Sequence, residues 1–395
     1  MDLFDKCYRF TRADEARAQG YYPYFKAIQS GAGSSVIIDG RKFVMIGSNN
    51  YLGLTQDPRV KQAAIDALER FGSGCTGSRY LNGTLTLHEE LEEKLANFVG
   101  KESALVFSTG FQTNQGTISA IVGKDDIIFS DRANHASIID GCRLTFGKVV
   151  RYKHNDMQDL ERQLSKNGSD SSGHLIVTDG VFSMEGDIVK LPEMVKAAKK
   201  YHARIMVDDA HSCGVLGKTG RGTGEHFGMT DDIDLIMGTF SKSFASIGGF
   251  IAGERKVIDY IKHHARSFIF SASMPPSAVA TVSKAVDILI AEPERLERLW
   301  KNTRKMKQGL TEMGYDTGLS ETPIIPIIIG DDMKTFYFWK LLYENGIFAN
   351  PVISPAVEPG RQLIRTSYMA THTDAELDYV LETFYKVGKQ SGVIA

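Results

Sequence analysis

From Asp57 to about Met237 the chain alternates between strand-sized apolar runs and longer stretches with helical periodicity, and few architectures can bury such a pattern. Val60, Ala63, Ala64, Ala67, Leu68 and Phe71 form one helical stripe ended by Gly72. Leu87, Leu91, Leu95 and Phe98 form a second, closed by Gly100. The runs at Ala104–Phe107, Ile127–Phe129, Leu175–Val177, Ile205–Val207 and Leu235–Met237 are apolar throughout, and helix-like segments such as Leu191–Tyr201 lie between several of them. A strand that is apolar on both sides must be covered on both sides, which helices packed on a mostly parallel sheet accomplish. The expected fold class is α/β.

The texture changes after residue 285. Asn302–Leu310 reads as a basic helix, Ile324–Ile329 and Ile347–Phe348 as strands, and Thr373–Val387 as an amphipathic helix with a Thr373/Glu376 capping box. At 395 residues the chain exceeds one typical domain. The expected division is an N-terminal arm (1–47), a large domain (48–285) and a smaller α+β domain (286–395). With 46 Lys+Arg against 48 Asp+Glu the net charge is −2, which argues against a dedicated nucleic-acid binder. No apolar run approaches the roughly 20 residues of a membrane span, and the start, MDLFDKCYRF, has no secretory h-region. Cys7, Cys75, Cys142 and Cys213 are too far apart for a Cys-x-x-Cys pair, so neither a disulfide framework nor a metal site is expected. A cytoplasmic enzyme is the resulting expectation.

Three strings mimic known motifs. Gly72–Gly77 (GSGCTG) matches a dinucleotide fingerprint, but a helix rather than a strand leads into it. Gly217-Lys218-Thr219 lacks the earlier glycine of a phosphate loop, and His88-Glu89 lacks the second histidine of a zinc protease. All three read as structural.

The polar, glycine-rich strings sit where the parallel strands end, which is where ligands bind in open α/β sheets. STGFQTN (Ser108–Asn114), DRANHASIIDG (Asp131–Gly141), TDGVFSMEGD (Thr178–Asp187), DDAHSCG (Asp208–Gly214) and GTFSKSFASIGG (Gly238–Gly249) follow the five apolar runs in turn. Together they bring a lysine, an aspartate, two histidines and a helix N-terminus to one crevice. Those residue types suit pyridoxal 5'-phosphate. Lys242 can condense with an aldehyde, Asp208 can keep a pyridine nitrogen protonated, the amides of Gly110 and Phe111 can hold a phosphate, and His135 can stack on a ring. Each also has a plain reading: Asp208 and Asp209 as helix caps, His135 and His211 as loop histidines, Ser108-Thr109-Gly110 as a βα turn. Co-occurrence in order at strand ends favours the cofactor.

Long strings extend the case. SNNYLGL (Ser48–Leu54), GSGCTGSRYLNGT (Gly72–Thr84), FSTGFQTN, NHASIIDG, VFSMEGD, VDDAHS, MGTFSKS and MATHT (Met369–Thr373) resemble the α-oxoamine synthase family of fold-type-I pyridoxal-phosphate enzymes from about Tyr21 to the final helix. MGTFSKS and GCTGSRYLNGT resemble its serine palmitoyltransferase branch. The resemblance implies an aspartate-aminotransferase-like fold with a mostly parallel seven-stranded sheet in the large domain. It also implies Lys242 as the cofactor-linking lysine and base, Asp208 on the pyridine nitrogen, and His211 with Ser183 on the phenolic oxygen. His135 would lie on the ring, with Thr109, Gly110, Phe111 and Thr239 around the phosphate. Ser78 and Arg365 match carboxylate-binding positions, and Asn49 with Tyr51 a loop entering the site.

The resemblance further implies a homodimer in which Phe270–Pro276 reaches the neighbouring phosphate. Ala272 stands where many relatives have threonine, which leaves Ser271 or Ser273 to supply the hydroxyl; Asn50 replaces an aspartate of several relatives. The implied reaction joins L-serine to a long-chain acyl-CoA, palmitoyl-CoA in the branch named, releasing CoA and carbon dioxide. A lipid product would suit contact with a membrane surface, although no basic amphipathic helix declares one. Glycine C-acetyltransferase, 8-amino-7-oxononanoate synthase and 5-aminolevulinate synthase share the cofactor chemistry. A catalytically inactive partner subunit is the reading from another class, and Lys242, Asp208, His135 and His211 speak against it.

Overall fold

The computed structural model describes residues 2–169 and 171–395. Strands β1 (Ser35–Ile38) and β2 (Arg41–Met45) form an antiparallel hairpin. Asp39 and Gly40 between them have φ of 49° and 72°, the left-handed pair that a two-residue hairpin loop requires. Two helices follow, Pro58–Phe71 and Thr86–Val99. Asp57 caps the first through the amide of Arg59, with Pro58 in the first turn. Gly100, at φ 72°, ends the second.

The large sheet contains β3 (Ser103–Phe107), β4 (Ile127–Asp131), β5 (Lys148–Tyr152), β6 (His174–Asp179), β7 (Arg204–Asp208), β8 (Leu235–Thr239) and β9 (Gly249–Gly253), in the order β3-β9-β8-β7-β6-β4-β5. Strand β9 runs antiparallel to both its neighbours, and the remaining pairs are parallel. The apolar runs account for five of these seven strands and miss β5 and β9. β5 lies at the edge, where the exposed Lys148 and Arg151 break the apolar pattern. β9 is Gly-Phe-Ile-Ala-Gly and reads as a turn, yet every residue of it is buried. A side chain at Gly249 would lie 2.8 Å from the Cα of Gly110, so glycine there lets the helix Gly110–Ile121 start directly against the strand.

The helix Pro276–Ala291 runs across residue 285, so the line drawn there from the sequence falls inside a helix; Pro293–Glu312 continues after a short break. Strands β10 (Ile324–Ile328), β11 (Ile347–Phe348), β12 (Asn350–Val352) and β13 (Leu363–Ser367) precede the closing helix Asp374–Ser391, whose Thr373/Glu376 capping box is formed. β10, β13 and β12 make an antiparallel sheet. β11 pairs parallel with β2, so residues 35–45, read from the sequence as part of an arm, complete a sheet with residues near 347. This region has a core of its own built on Met306, Tyr315, Phe338, Trp339 and Phe384. The short helices Asp5–Tyr8 and Arg12–Ala18 bury nothing. Among the described residues no helix is long and apolar enough to cross a membrane.

Candidate active site

The strand ends converge on a cavity of about 270 Å³. Thr109, Gly110, Phe111, His135, Ser183, Asp208, His211, Thr239 and Lys242, nine of the residues expected there, line it. Lys242 follows β8 in a loop pinned by reciprocal backbone bonds, Phe240 N–H to Gly248 O at 2.9 Å and Ser246 N–H to Phe240 O at 2.9 Å. Beneath it the buried Phe240 stacks on Phe250 (5.8 Å) and meets Phe244 edge-on (6.1 Å). Burying each ring stabilises the loop's support by about 1.5–3 kcal/mol. Ala245, in the same loop, has φ 57°, a conformation that costs about 1–2 kcal/mol without glycine.

The Lys242 amine donates no hydrogen bond and forms no salt bridge among the described residues. The surrounding protein, by excluding water, lowers its ammonium pKa to about 8 against the pull of Asp208 and Asp179. An amine so placed is unprotonated far more often near neutral pH than an ordinary lysine. Asp208 ends β7, with Oδ1 accepting from the Ala210 amide (2.9 Å) and Oδ2 from Asn114 Nδ2 (2.7 Å). Asp179 is its register partner on β6. Burial, then the neighbouring Asp208, pushes the Asp179 carboxyl well above the usual carboxylate range.

Helix Gly110–Ile121 points its N-terminus at the cavity. Thr109 caps it by accepting from the Gln112 amide at 3.1 Å, which leaves the hydroxyl proton free to be donated. Among the described residues the amides of Gly110 and Phe111 have no acceptor. A Cβ at Gly110 would lie 2.5 Å from Thr239 Oγ1, so the cradle exists only because the residue is glycine. Free amides, a helix dipole and the hydroxyls of Thr239 and Ser241, 3.1 Å apart, form a site for a dianion. With an amine and a carboxylate across the same cavity, the donor set fits pyridoxal 5'-phosphate.

His211 is buried, and its Nδ1 lies 2.8 Å from the Tyr51 hydroxyl. Burial first, then the positive Lys242 and Arg365, hold its imidazole well below the usual range, so it is neutral. Burial raises the Tyr51 phenol to about 12. Asn49 Oδ1 accepts from Tyr51 (3.3 Å) and from Arg365 Nη2 (2.8 Å), and Arg365 Nε donates to the Ser183 carbonyl at 2.5 Å. Arg365 is 5% exposed and has no carboxylate partner among the described residues, which leaves a buried cation in want of an anion. Asn49, Tyr51 and Arg365 thus reach the cavity by way of His211 and Ser183.

Three expected residues lie elsewhere within one protomer. Ser78 is bridged to Ala272, with its buried hydroxyl unpartnered. Ser271 Oγ accepts from Gln112 Nε2 at 3.1 Å, and Ser273 Oγ donates to the Gly77 carbonyl at 3.0 Å. None of the three lines the cavity. Asn50, placed by no expectation, donates to Thr55 Oγ1 at 2.8 Å and holds the loop that carries Asn49 and Tyr51. Sequence reasoning overlooked Asn114, Ser137 and Asp179. Asn114 stands one helical turn after Gly110, a spacing that could have found it, whereas Ser137 and Asp179 carry no such signal.

Residues 41–384 match the family described as aminotransferase class I and II. The chain belongs to that family. Within it, the serine palmitoyltransferase of Sphingobacterium spiritivorum is 56% identical over 99% of this chain and 98% of its own length. The 8-amino-7-oxononanoate synthase of Thermoanaerobacter pseudethanolicus is 46% identical over 97% of each. A serine palmitoyltransferase from S. paucimobilis, solved with a bound PLP–myriocin aldimine, superimposes with a TM-score of 0.96 at 37% identity over the full length of both chains. The fold-type-I expectation agrees with these relatives.

Proposed function

We propose that this chain is an acyltransferase that condenses L-serine with a long-chain acyl-CoA, palmitoyl-CoA by preference, to give 3-ketodihydrosphingosine, CoA and carbon dioxide. The observation that carries the proposal is the convergence of Lys242 and Asp208 on one cavity beside an anion cradle, in a chain 56% identical over nearly its full length to a serine palmitoyltransferase. Lys242 would hold the pyridoxal aldehyde carbon, Asp208 the ring nitrogen, and His211 with Ser183 the phenolic oxygen. Thr109, Gly110, Phe111 and Thr239 would hold the phosphate, and His135 the ring face. Pyridoxal phosphate, when bound, supplies the electron sink that makes a carbanion at the serine Cα accessible.

The chain's own groups do the rest. Arg365 offers a planar fork to the serine carboxylate, and Asn49 with the Ser183 carbonyl holds that fork in place. Lys242 Nζ, whose pKa is about 8, takes the α-proton near neutral pH. Asn49 and Tyr51 complete the amino-acid site within one protomer, and Ser78, which lies outside the cavity there, would join it only from the partner of a dimer. We propose a homodimer in which Phe270–Pro276 serves the partner's phosphate site. Ser271 suits that role better than Ser273, because it accepts its bond from Gln112 and keeps a proton to donate. We also propose a division into a large and a small domain, the small one having a separate core around Phe338 and Phe384 that Val44 and Ile46 of the expected arm join. Four free cysteines suit a reducing, cytoplasmic location.

The likeness to 8-amino-7-oxononanoate synthases keeps a second reading alive, alanine with pimeloyl-CoA. Steady-state rates with serine, glycine and alanine, each against acetyl-, pimeloyl- and palmitoyl-CoA, decide between them. Serine with palmitoyl-CoA should give the highest kcat/KM; a preference for alanine with pimeloyl-CoA, or glycine with acetyl-CoA, would overturn the proposal.

A further inference from the structure

The Asp208 carboxylate and the His135 ring are joined by two buried side chains that the chemistry above does not use. Asn114 and Ser137 are both buried. Asn114 Nδ2 lies 2.7 Å from Asp208 Oδ2 and 2.8 Å from Ser137 Oγ. Its Oδ1 has no partner. The amide cannot be turned over, because that would set two oxygens 2.7 Å apart at Asp208. Both Nδ2 protons are therefore spent, one on Asp208 and one on Ser137.

Ser137 Oγ, having accepted, directs its single proton at its other neighbour, His135 Nδ1, 2.8 Å away. The Ser137 backbone amide points at the same nitrogen from 3.3 Å, and an amide N–H can only donate. Two donors aimed at one ring nitrogen require a lone pair there. We propose that Asn114 and Ser137 are positioning residues whose one-way relay locks His135 in the tautomer protonated at Nε2 and presents that N–H to an anionic group of the amino-acid substrate. His135 lines the cavity, and its Nε2 has no partner among the described residues. Burial, and after it the positive Lys242, lowers the His135 pKa despite the opposing pull of Asp208, in keeping with a neutral ring.

The same amide gives the carboxylate and the histidine one common anchor. A shift of Asp208 therefore moves the hydrogen bond that fixes the imidazole, and the ring nitrogen site is tied to the substrate site through a single side chain. The tautomer stands on this chain alone. Only the use of its N–H rests on the proposed function.

The test is the ring tautomer, read by long-range proton–nitrogen correlation on protein labelled with 15N-histidine, with and without pyridoxal phosphate. The His135 signal is identified by its loss in His135→Asn. The parent should show protonated Nε2 and bare Nδ1. Ser137→Ala, which leaves only the longer 3.3 Å amide contact at Nδ1, should let the Nδ1-protonated tautomer appear beside the other and raise KM for L-serine about fivefold, the value of one lost hydrogen bond, with the cofactor's visible absorbance unchanged. Ser137→Thr, which keeps the hydroxyl, should restore both. Should Ser137→Ala fail to fold, Asn114→Ala, which frees the serine proton to turn, must give the same split. A parent protonated at Nδ1, or a tautomer indifferent to these substitutions, overturns the relay. A chain that shows the relay but does not turn over serine overturns the function and leaves the relay standing.

Discussion

Asp179 and Asp208 face each other in register at the carboxyl ends of β6 and β7. Two carboxyls so close and so buried cannot both ionise cheaply, and burial with the neighbouring charge raises Asp179 in particular. Asp179 is therefore the carboxyl of the pair inclined to hold a proton. Asp179→Asn should keep the hydrogen bond from the His135 amide, now 2.8 Å, and retain most activity, whereas Asp208→Asn should lower kcat at least ~100-fold. A raised folded pKa means that Asp179 contributes most below its unfolded value of 3.8 and loses that contribution as pH rises toward its folded value. Urea titrations should thus show Asp179→Asn gaining stability relative to the parent as pH is raised above 4. Equal damage from both substitutions would reverse the assignment.

Lys242 has no substitute in the cavity. Lys242→Ala reconstituted with pyridoxal phosphate should lack both the visible absorbance of the lysine-linked cofactor and turnover. A yellow, active variant would refute its role.

His154 bridges the end of β4 and the loop after β6, with Nδ1 3.1 Å from Asp131 Oδ1 and Nε2 3.1 Å from Asp187 Oδ2. Burial lowers its pKa, but the two carboxylates outweigh that and raise it to about 10. A cation held this way contributes fully below its unfolded pKa of 6.5, and the contribution is lost as pH rises through about 10. His154→Asn should cost about 2 kcal/mol at pH 6, shrinking toward zero above pH 10. Chemical denaturation across that range checks it, and a pH-independent loss would contradict the charge.

Arg365 donates in two directions, to Ser183 and Asn49, while remaining without a carboxylate. Arg365→Lys keeps the charge but not the fork. KM for L-serine should rise ~10-fold or more, with the cofactor's absorbance intact. An unchanged KM would place the carboxylate elsewhere.

The parallel strands and the cavity-lining residues were legible because both depend on local signals: apolar runs of strand length, and polar strings directly after them. β5 escaped because an edge strand can carry charges such as Lys148 and Arg151 toward solvent, and β9 because its flanking glycines answer to close neighbours, Gly110 beside Gly249 and the Asp234 carbonyl beside Gly253, rather than to strand propensity. Asn114, Ser137 and Asp179 look like ordinary polar residues until the sheet register and the helix packing set them around Asp208. Ser78, Ser271 and Ser273 are identifiable only by resemblance; within one protomer Ser78 and Ser273 hold the 77–83 and 271–273 segments together and Ser271 bonds Gln112, and none lines the cavity.

The pairing of β2 with β11 sets an order on biosynthesis. The hairpin is synthesised well before Ile347–Phe348, the edge that completes its sheet, and the His372 ring that bonds the Met45 carbonyl comes later still. A nascent chain must carry that unmatched edge until residues near 347 emerge, which makes residues 35–45 a natural place for a chaperone to hold and a poor place to cut.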